Sequence, residues 1–316
     1  MPSDECRVGR LTGPAAGFAS GLTKVVVGHG FDTCRSRHGY SSTPSSKIVL
    51  LFLCFSKPFN GRGFFALYKG ATPPALGWAA IDSVLLGSLH NYRLFLLHNG
   101  IMTEDPTGTG ERLTLLAHGT AGLFAGLTSA PLATPIELLK VRLQLQIQKS
   151  VSDRQFRGPI DCAQHLMRSQ GVLGLWTGFS GGLLFRANFF YMFLAFEACM
   201  RGLSRLNGTF YEPSVGVANL IAGGTASLCF WTMAIPFDRM KNQMMSHPYP
   251  LPYPETRSIT RPSLISVACQ IYSNQGLRGF YRGLAPCFIR AFPSNACAFF
   301  VYEGLLRALG AEQTRH

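Results

Sequence analysis

Acidic and basic side chains recur at one fixed spacing in this chain, and that spacing suits ion pairing. A helix-like segment ends in Pro-x-acid-x-x-base twice, and a third copy has Gly30 in place of Pro. The acid and base pairs are Asp32 and Arg35, Glu137 and Lys140, and Asp238 and Lys241. Side chains three residues apart lie on one face of a helix, so each pair can close locally. In a closed bundle each acid can also reach the base of another copy, and a ring of such pairs would act as a gate.

Residues for bond-making chemistry are not grouped in this way. The sequence has no nucleophile–base–acid constellation, metal-ligand cluster or phosphate-binding loop, and its nine cysteines form no CxxC pair. We therefore expect reduced structural thiols and structural roles for isolated histidines such as His118 and His165. We also expect no metal, no cofactor and no enzymatic activity.

Two further elements accompany each acid–base segment in constant order, which indicates an internal threefold repeat. The acid–base segments begin 105 and 101 residues apart, at positions 30, 135 and 236. A Gly-rich element with an aromatic residue follows each of them, at Tyr68-Lys69-Gly70, Trp176-Thr177-Gly178 and Tyr281-Arg282-Gly283. A small-xxx-small element precedes each of them, at Gly17 and Gly21, Gly122 and Gly126, and Gly223 and Ser227.

Each period predicts two long helices joined by a loop that carries a short surface helix. The predicted long helices cover about 11–35, 72–98, 113–145, 179–206, 214–245 and 284–308. These lengths are close to the ~20 residues that a helix needs to cross a bilayer. The small residues would let neighbouring helices approach closely, and the prolines would kink their helices. The sequence therefore predicts an all-α membrane protein with six transmembrane helices, divided into repeats 7–99, 112–206 and 213–309.

Composition agrees with a membrane protein that encloses a polar path. The 316 residues are 47% hydrophobic and only 14% charged, with a mean hydropathy of +0.16. Disorder is excluded by the apolar content, and an ordinary soluble enzyme is disfavoured because its surface needs more charge. The net charge of +13 is spread along the chain, which favours a lipid surface or an anion-attracting vestibule over nucleic acid. The N-terminus carries neither a signal-peptide core nor a transit pattern.

Those elements, in that order and number, resemble the mitochondrial carrier family over about 7–309. The resemblance implies a threefold pseudosymmetric, six-helix monomer in the mitochondrial inner membrane, with short matrix-side surface helices and bound lipid such as cardiolipin. It also implies a small-molecule substrate that binds centrally and crosses by alternating access.

The resemblance also implies two gates. The matrix-side pairs would be Asp32–Lys140, Glu137–Lys241 and Asp238–Arg35, and Gln144 would brace one of them. The cytoplasmic-side ring is less complete, because Arg201 and Arg307 come one residue late after Glu197 and Glu303. In the first repeat Arg93 has no acid to match. We therefore expect a weak cytoplasmic gate.

The substrate class follows from the even-numbered helices, where the resemblance to the carnitine/acylcarnitine and ornithine-type carriers is closest. The implied contact residues are Gly77, Trp78, Asp82, Arg186, Trp231 and Arg290. Arg186 and Arg290 would bind a carboxylate, and Trp78 with Asp82 would bind an ammonium group. Asp82 is alternatively a structural acid paired with Arg186 or Lys24, and Trp231 is alternatively an anchor at the lipid interface. A small zwitterion such as an amino acid or a carnitine-like metabolite fits best, ahead of keto acids or dicarboxylates.

The first repeat departs from this pattern. Gly30 replaces Pro, and segment 36–62 has an eight-residue apolar run that is too short to span a bilayer. The segment is either an interfacial helix, part of a diverged copy or the product of a misjoined gene. A degenerate carrier that serves as a membrane scaffold is the alternative function; a membrane-bound enzyme has no supporting motif.

Overall fold

A computed structural model of the chain describes residues 14–24, 72–104, 112–144, 156, 158–206, 213–246, 263–281 and 284–308. Asp32, Arg35 and the unusual segment 36–62 lie outside the described residues. Within these ranges the chain is helical apart from one two-stranded ladder, so the all-α class is confirmed.

The long helices lie where the repeat pattern predicts them. The helices are α1 (14–24), α2 (Thr72–His98), α3 (Leu115–Gln144), α4 (Pro159–Gln170), α5 (Phe179–Ala187), α6 (Phe189–Ser204), α7 (Val215–Ser246), α8 (Leu264–Phe280) and α9 (Leu284–Ala308). A 3-10 turn, Val172–Trp176, joins α4 to α5. Helices α4 and α8 are the short surface helices of the second and third repeats.

The small-xxx-small residues bring helix backbones together. A Cβ added to Gly21 on α1 would lie 2.6 Å from the Ala79 Cα on α2, and one on Gly17 would lie 2.6 Å from the Asp82 carbonyl oxygen. A Cβ on Gly126 of α3 would overlap the backbone carbonyl of Arg186 on α5. Only glycine permits these approaches, so the four-residue spacing of the small residues sets the helix contacts, as in other membrane bundles.

One glycine and one proline shape the connection between α4 and the long helices of the second repeat. Gly171 ends α4 with φ +74°, in the left-handed region that a side chain disfavours, and Gly276 has φ +61° in the third repeat. Because Pro135 has no N–H, the Pro131 carbonyl lacks its helical donor. The Trp176 indole N–H donates to that carbonyl at 3.0 Å. The aromatic element and the proline element of the repeat are therefore bonded to each other.

Two features differ from the prediction. The single helix expected over 179–206 is divided at Asn188, whose side-chain amide donates to the Leu184 carbonyl at 2.8 Å. An Asn side chain competes in this way with the regular helical hydrogen bonds. The second difference is an antiparallel ladder between β1 (Thr103–Glu104) and β2 (Arg112–Leu113), in the connection between the first two repeats.

Three described segments are long and apolar enough to cross a membrane, namely Leu115–Leu143, Val172–Ser204 and Gly216–Ser246. Large apolar side chains on the outside of the bundle are exposed, among them Phe95, Leu116 and Phe124. Inside, a cluster of phenylalanines from α5, α6, α7 and α9 fills the space between the helices: Phe185, Phe189, Phe193, Phe196, Phe230 and Phe299.

Candidate functional site

A chain of buried charges joins α3, α5 and α7 inside the bundle. Arg186 on α5 donates from Nη2 to Glu137 Oε1 at 2.8 Å, and Lys241 on α7 donates from Nζ to Glu137 Oε2 at 3.0 Å. Lys241 also lies 3.0 Å from Asp238 Oδ1, one turn earlier on α7. The relative exposure of Arg186, Glu137 and Lys241 is 9% or less. Buried charges are tolerated when they are paired and hydrogen-bonded in this way.

Two neutral side chains complete the cluster, and the sequence analysis missed both. Ser129 Oγ accepts from Arg186 Nη1 at 2.9 Å and donates to the Gly126 carbonyl at 2.8 Å. Asn242 donates to Asp238 Oδ2 at 2.9 Å. Ser129 lies eight residues before Glu137 on α3. The long Glu137 side chain leans toward the N-terminus of its helix, and so toward Ser129, which lets one guanidinium reach both. The only sequence signal for Ser129 is that it lies on the same stripe of α3 as Glu137.

Of the residues expected on the matrix side, Glu137, Lys241 and Asp238 belong to the cluster, and Lys140 makes a separate contact. The expected contact between Glu137 and Lys241 is present, while Lys140 Nζ lies 5.3 Å from the centre of the Trp78 ring on α2. That distance is typical of a cation–π contact. Asp32 and Arg35 lie outside the described residues. Gln144 is the last residue of α3, and its side chain is outside the described part of the chain.

The other predicted substrate contacts that the structure describes lie on α2 and α7. The Asp82 carboxylate is 2.6 Å from Lys24 Nζ, so of the two structural partners considered for it, Lys24 is the one in contact. A Cβ on Gly77 would lie 3.0 Å from Ile136 Cγ2. Trp231 is half-buried and packs against Phe185 and Phe230, with ring centres 6.0 and 5.6 Å apart.

Arg290 is the sixth predicted contact. It lies on α9, and its side chain is outside the described part of the chain.

The cytoplasmic-side residues form a different arrangement from the expected ring. Arg201 donates from Nε to Glu197 Oε1 on its own helix at 3.0 Å. It also donates from Nη1 to Glu104 Oε1 on β1 at 2.5 Å, and from Nη2 to the Leu113 carbonyl on β2. Glu197 further lies 3.7 Å from His118 Nε2 on α3. Arg201 therefore bonds to the connecting ladder.

The remaining members of the predicted ring are spread over two helices. Arg93 is buried on α2, with its guanidinium carbon 5.5 Å from the centre of the Phe193 ring. On α9 Glu303 is half-buried and Arg307 is exposed. Tyr302 beside them is buried and donates to the Leu86 carbonyl at 3.3 Å.

A separate cavity of about 520 Å³ opens between the starts of α5 and α8. Its lining includes Gly178 and Phe179 at the start of α5, Ser263 and Leu264 at the start of α8, and Met244 on α7. In the described residues, no group of three His, Cys, Asp or Glu side chains is placed to hold a metal ion.

Comparison with known proteins gives the same family over three segments that cover most of the chain. The family described as "Mitochondrial carrier protein" matches residues 11–100, 111–207 and 213–313. "Mitochondrial substrate carrier family protein L" of Dictyostelium discoideum is 32% identical over 298 residues, which cover 92% of this chain and 93% of that protein.

Two similar proteins have substrates in their names. The mitochondrial basic amino acids transporter of Bos taurus is 30% identical over 95% of this chain and 93% of its own. The mitochondrial glycine transporter YMC1 of Saccharomyces cerevisiae is 29% identical over 93% and 90%. The three repeats, the helical bundle and these matches lead to one conclusion: the chain belongs to the mitochondrial carrier protein family, and it is a multi-pass solute transporter of the mitochondrial inner membrane.

Proposed function

We propose that the transported solute is a small zwitterion with one carboxylate and one ammonium group. The observation that carries this proposal is the buried guanidinium of Arg186, which holds a carboxylate inside the bundle. A guanidinium binds carboxylates through two parallel hydrogen bonds, and a buried arginine in a transmembrane bundle marks a substrate path. Arg290 on α9 would be a second carboxylate ligand.

The ammonium group would bind against the ring of Trp78, which already contacts the ammonium of Lys140. Aromatic rings attract both primary and quaternary ammonium groups. Asp82 would add a charge contact only after it releases Lys24, and Gly77 would leave room beside Trp78. Trp231 would close the site from α7. A relative named for basic amino acids supports a zwitterionic amino acid.

The path would open and close by alternating access, with no bond chemistry. Glu137, Lys241 and Asp238 would close the matrix side together with Lys140, Arg35 and Asp32, and Gln144 would brace one pair. Glu197, Arg201, Glu303, Arg307 and Arg93 would serve the cytoplasmic side. The units that move would be repeats 7–99, 112–206 and 213–309.

We further infer that the carrier works as a monomer with an anionic inner-membrane lipid such as cardiolipin at its matrix side. The cavity between α5 and α8 supports the lipid, because the N-termini of both helices face it through Phe179 and Leu264. Unpaired N–H groups at helix N-termini bind phosphate.

Exchange in liposomes tests the substrate class. Purified full-length protein is screened with labelled carnitine, basic amino acids, glycine, keto acids and dicarboxylates. We expect saturable exchange of zwitterions, a loss of at least about 100-fold in Arg186→Gln or Arg290→Ala, and little change in Arg205→Gln. The control residue is exposed at the end of α6, and the expected loss corresponds to about 3 kcal/mol for a charge-assisted contact. Exchange of dicarboxylates alone, or no exchange by folded protein, would contradict the proposal.

A further inference from the structure

Glu137 and Lys140 lie one turn apart on α3, and each contacts a side chain that we assign to the substrate. Glu137 Oε1 accepts from Arg186 Nη2 at 2.8 Å. Lys140 Nζ lies 5.3 Å from the centre of the Trp78 ring. A carboxylate of the protein is therefore on the guanidinium, and an ammonium of the protein is on the aromatic face.

We propose that Glu137 and Lys140 form a tethered competitor, an internal carboxylate and ammonium that the substrate must displace from Arg186 and Trp78. This inference rests on the proposed function, because it takes Arg186 and Trp78 as substrate ligands. It adds that the gate residues of α3 and the substrate use the same ligands. Binding of substrate and release of Glu137 and Lys140 from Arg186 and Trp78 are then one event.

The exchange of one carboxylate for another at Arg186 keeps the buried charges paired. Glu137 holds Arg186 through Oε1 and Lys241 through Oε2, so a displaced Glu137 retains Lys241. Arg186 retains Ser129 and gains the substrate carboxylate. No buried charge is left alone during the exchange, which avoids the large cost of an uncompensated ion. Substrates without a carboxylate would leave Arg186 without a charged partner and would therefore not trigger release.

The competitor also restricts the spacing of charges in the substrate. Glu137 and Lys140 are three residues apart, so their Cβ atoms lie about 5–6 Å apart. The side chains that they contact, Arg186 and Trp78, lie on different helices, α5 and α2. The α-carboxylate and α-ammonium of an amino acid are attached to one carbon and would not reach Arg186 and Trp78 together. The site therefore selects a carboxylate whose ammonium or quaternary ammonium is several bonds away, including the side-chain ammonium of a basic amino acid.

A competitor that occupies a site lowers the apparent affinity for substrate, so its removal must raise that affinity. We test this with Glu137→Gln and Lys140→Gln in the full-length protein, reconstituted in liposomes. The probes are glycine, 4-aminobutanoate, 6-aminohexanoate and the dicarboxylate glutarate. We expect 6-aminohexanoate to exchange faster than glycine in the unaltered protein. In Glu137→Gln its KM should fall about tenfold, the effect of one charge-assisted hydrogen bond. In Lys140→Gln it should fall about two- to fivefold, the effect of one cation–π contact. In both variants the maximal rate also falls because the gate is impaired.

Arg168→Gln is the matched control, since Arg168 is exposed on the surface helix α4 and should change neither parameter. Thermal unfolding of each purified variant shows whether it is folded. If Glu137→Gln does not fold, Lys140→Gln still decides, because Lys140 is only half-buried.

The outcomes separate this inference from the proposed function. A KM that stays level or rises in folded variants, while the unaltered protein exchanges zwitterions, overturns the competitor and leaves the proposed function standing. Equal rates for glycine and 6-aminohexanoate overturn the spacing rule. Exchange of glutarate alone overturns the proposed function. In that case a lower glutarate KM in Glu137→Gln, with no change in Lys140→Gln, would mean that Glu137 competes with the substrate at Arg186 and that Lys140 does not compete.

Discussion

At the residue scale, Arg186 is held by one charged and one neutral acceptor, and the neutral one fixes its direction. Ser129 Oγ receives Nη1 and is itself oriented by its bond to the Gly126 carbonyl. Glu137 supplies the charge. If a substrate carboxylate displaces Glu137, Ser129 is the contact that keeps the guanidinium aimed into the bundle. Ser129 is therefore a positioning residue for the proposed site.

Replacing Ser129 by Ala should loosen Arg186 without removing its charge. We expect the KM for exchanged zwitterions to rise about three- to tenfold, with a loss of roughly 1 kcal/mol in stability, because one buried hydrogen bond is lost. Thermal unfolding and exchange kinetics measure the two effects. Ser169→Ala is the control, since that hydroxyl is exposed and bonds only within its own helix. A lower maximal rate at constant KM would argue against positioning.

Cys162 lies on α4, outside the membrane-spanning segments, and the pKa of its thiol predicts its reactivity. Burial raises the pKa of its thiol to about 11, and the nearby Arg142 guanidinium offsets this only in part. The thiolate is the reactive form of cysteine. With a pKa of about 11, the Cys162 thiolate is about 100-fold less abundant below pH 9 than the thiolate of a cysteine with the ordinary pKa.

We therefore expect alkylation of Cys162 to be slow at pH 7.5 and to keep rising with pH up to about 11. Mass spectrometry of the alkylated peptides measures the rate. Cys269, exposed on α8, is the internal comparison and should react first. Rapid labelling of Cys162 at pH 7.5 would show that the cluster around it, which includes Leu166 and Met245, opens readily.

At this scale one contact between repeats could be predicted and the others could not. The family resemblance of the acid–base segments implies a pair between Glu137 and Lys241, and the two side chains are in contact. The bond from Arg186 to Glu137 depends on how closely α3 and α5 pack, and no spacing along the chain encodes that distance. For Asp82 the sequence leaves two structural partners open, and Lys24 is the one in contact.

At the element scale, the connection between the first two repeats is fastened to α6 by one side chain. Arg201 bonds to Glu104 on β1 and to the Leu113 carbonyl on β2. Arg112 bonds to the same Glu104 oxygen at 3.2 Å. Since these contacts tie α6 to the connecting ladder, Arg201 has a structural role there in addition to any role in a gate.

Arg201→Gln should free the ladder from α6. The Thr114 amide donates to the Met102 carbonyl at 2.9 Å, and we expect its hydrogen exchange to become about tenfold faster, since a charge-assisted anchor is lost. Hydrogen-exchange mass spectrometry of the peptide that contains it gives the rate. Glu104→Gln should act in the same direction, whereas Arg205→Gln, one turn later on α6, should not. Unchanged exchange in Arg201→Gln would mean that the ladder is stable by itself.

Elements of regular period are predictable here, and the exceptions have local causes. The long helices follow from apolar length and from the repeat, and six of them with three repeats give the family fold. The division at Asn188 arises from one side-chain amide that bonds to its own helix. The ladder at 103–113 consists of two residues on each side, too short to leave a periodic signal in the sequence. Among the described residues neither feature recurs in another repeat, so comparison between repeats does not reveal them.

At the scale of the whole molecule, the repeats are joined through charges as well as through apolar packing. Lys241 of the third repeat bonds to Glu137 of the second, and Glu137 bonds to Arg186 in its own repeat. Asp238 shares Lys241 and is held by Asn242. Two acids and two bases thus form one buried, balanced unit across the boundary between the second and third repeats.

Lys241→Met tests this unit, because it removes a charge and keeps most of the apolar volume. Among the described residues, Asp238 would lose its ionic partner and keep Asn242, and Glu137 would keep Arg186. We expect a loss of roughly 3 kcal/mol in stability, the usual effect of leaving a buried charge without its partner, read as a lower unfolding temperature in detergent. The double variant Lys241→Met with Asp238→Asn should recover most of that loss, since it restores the balance while still lacking the bond between repeats. Recovery in the double variant would assign the cost to unpaired charge. If the double variant is as unstable as the single one, the bond from Lys241 to Glu137 itself holds the second and third repeats together. The matrix-side cluster would then be a structural joint between repeats and would not open during transport.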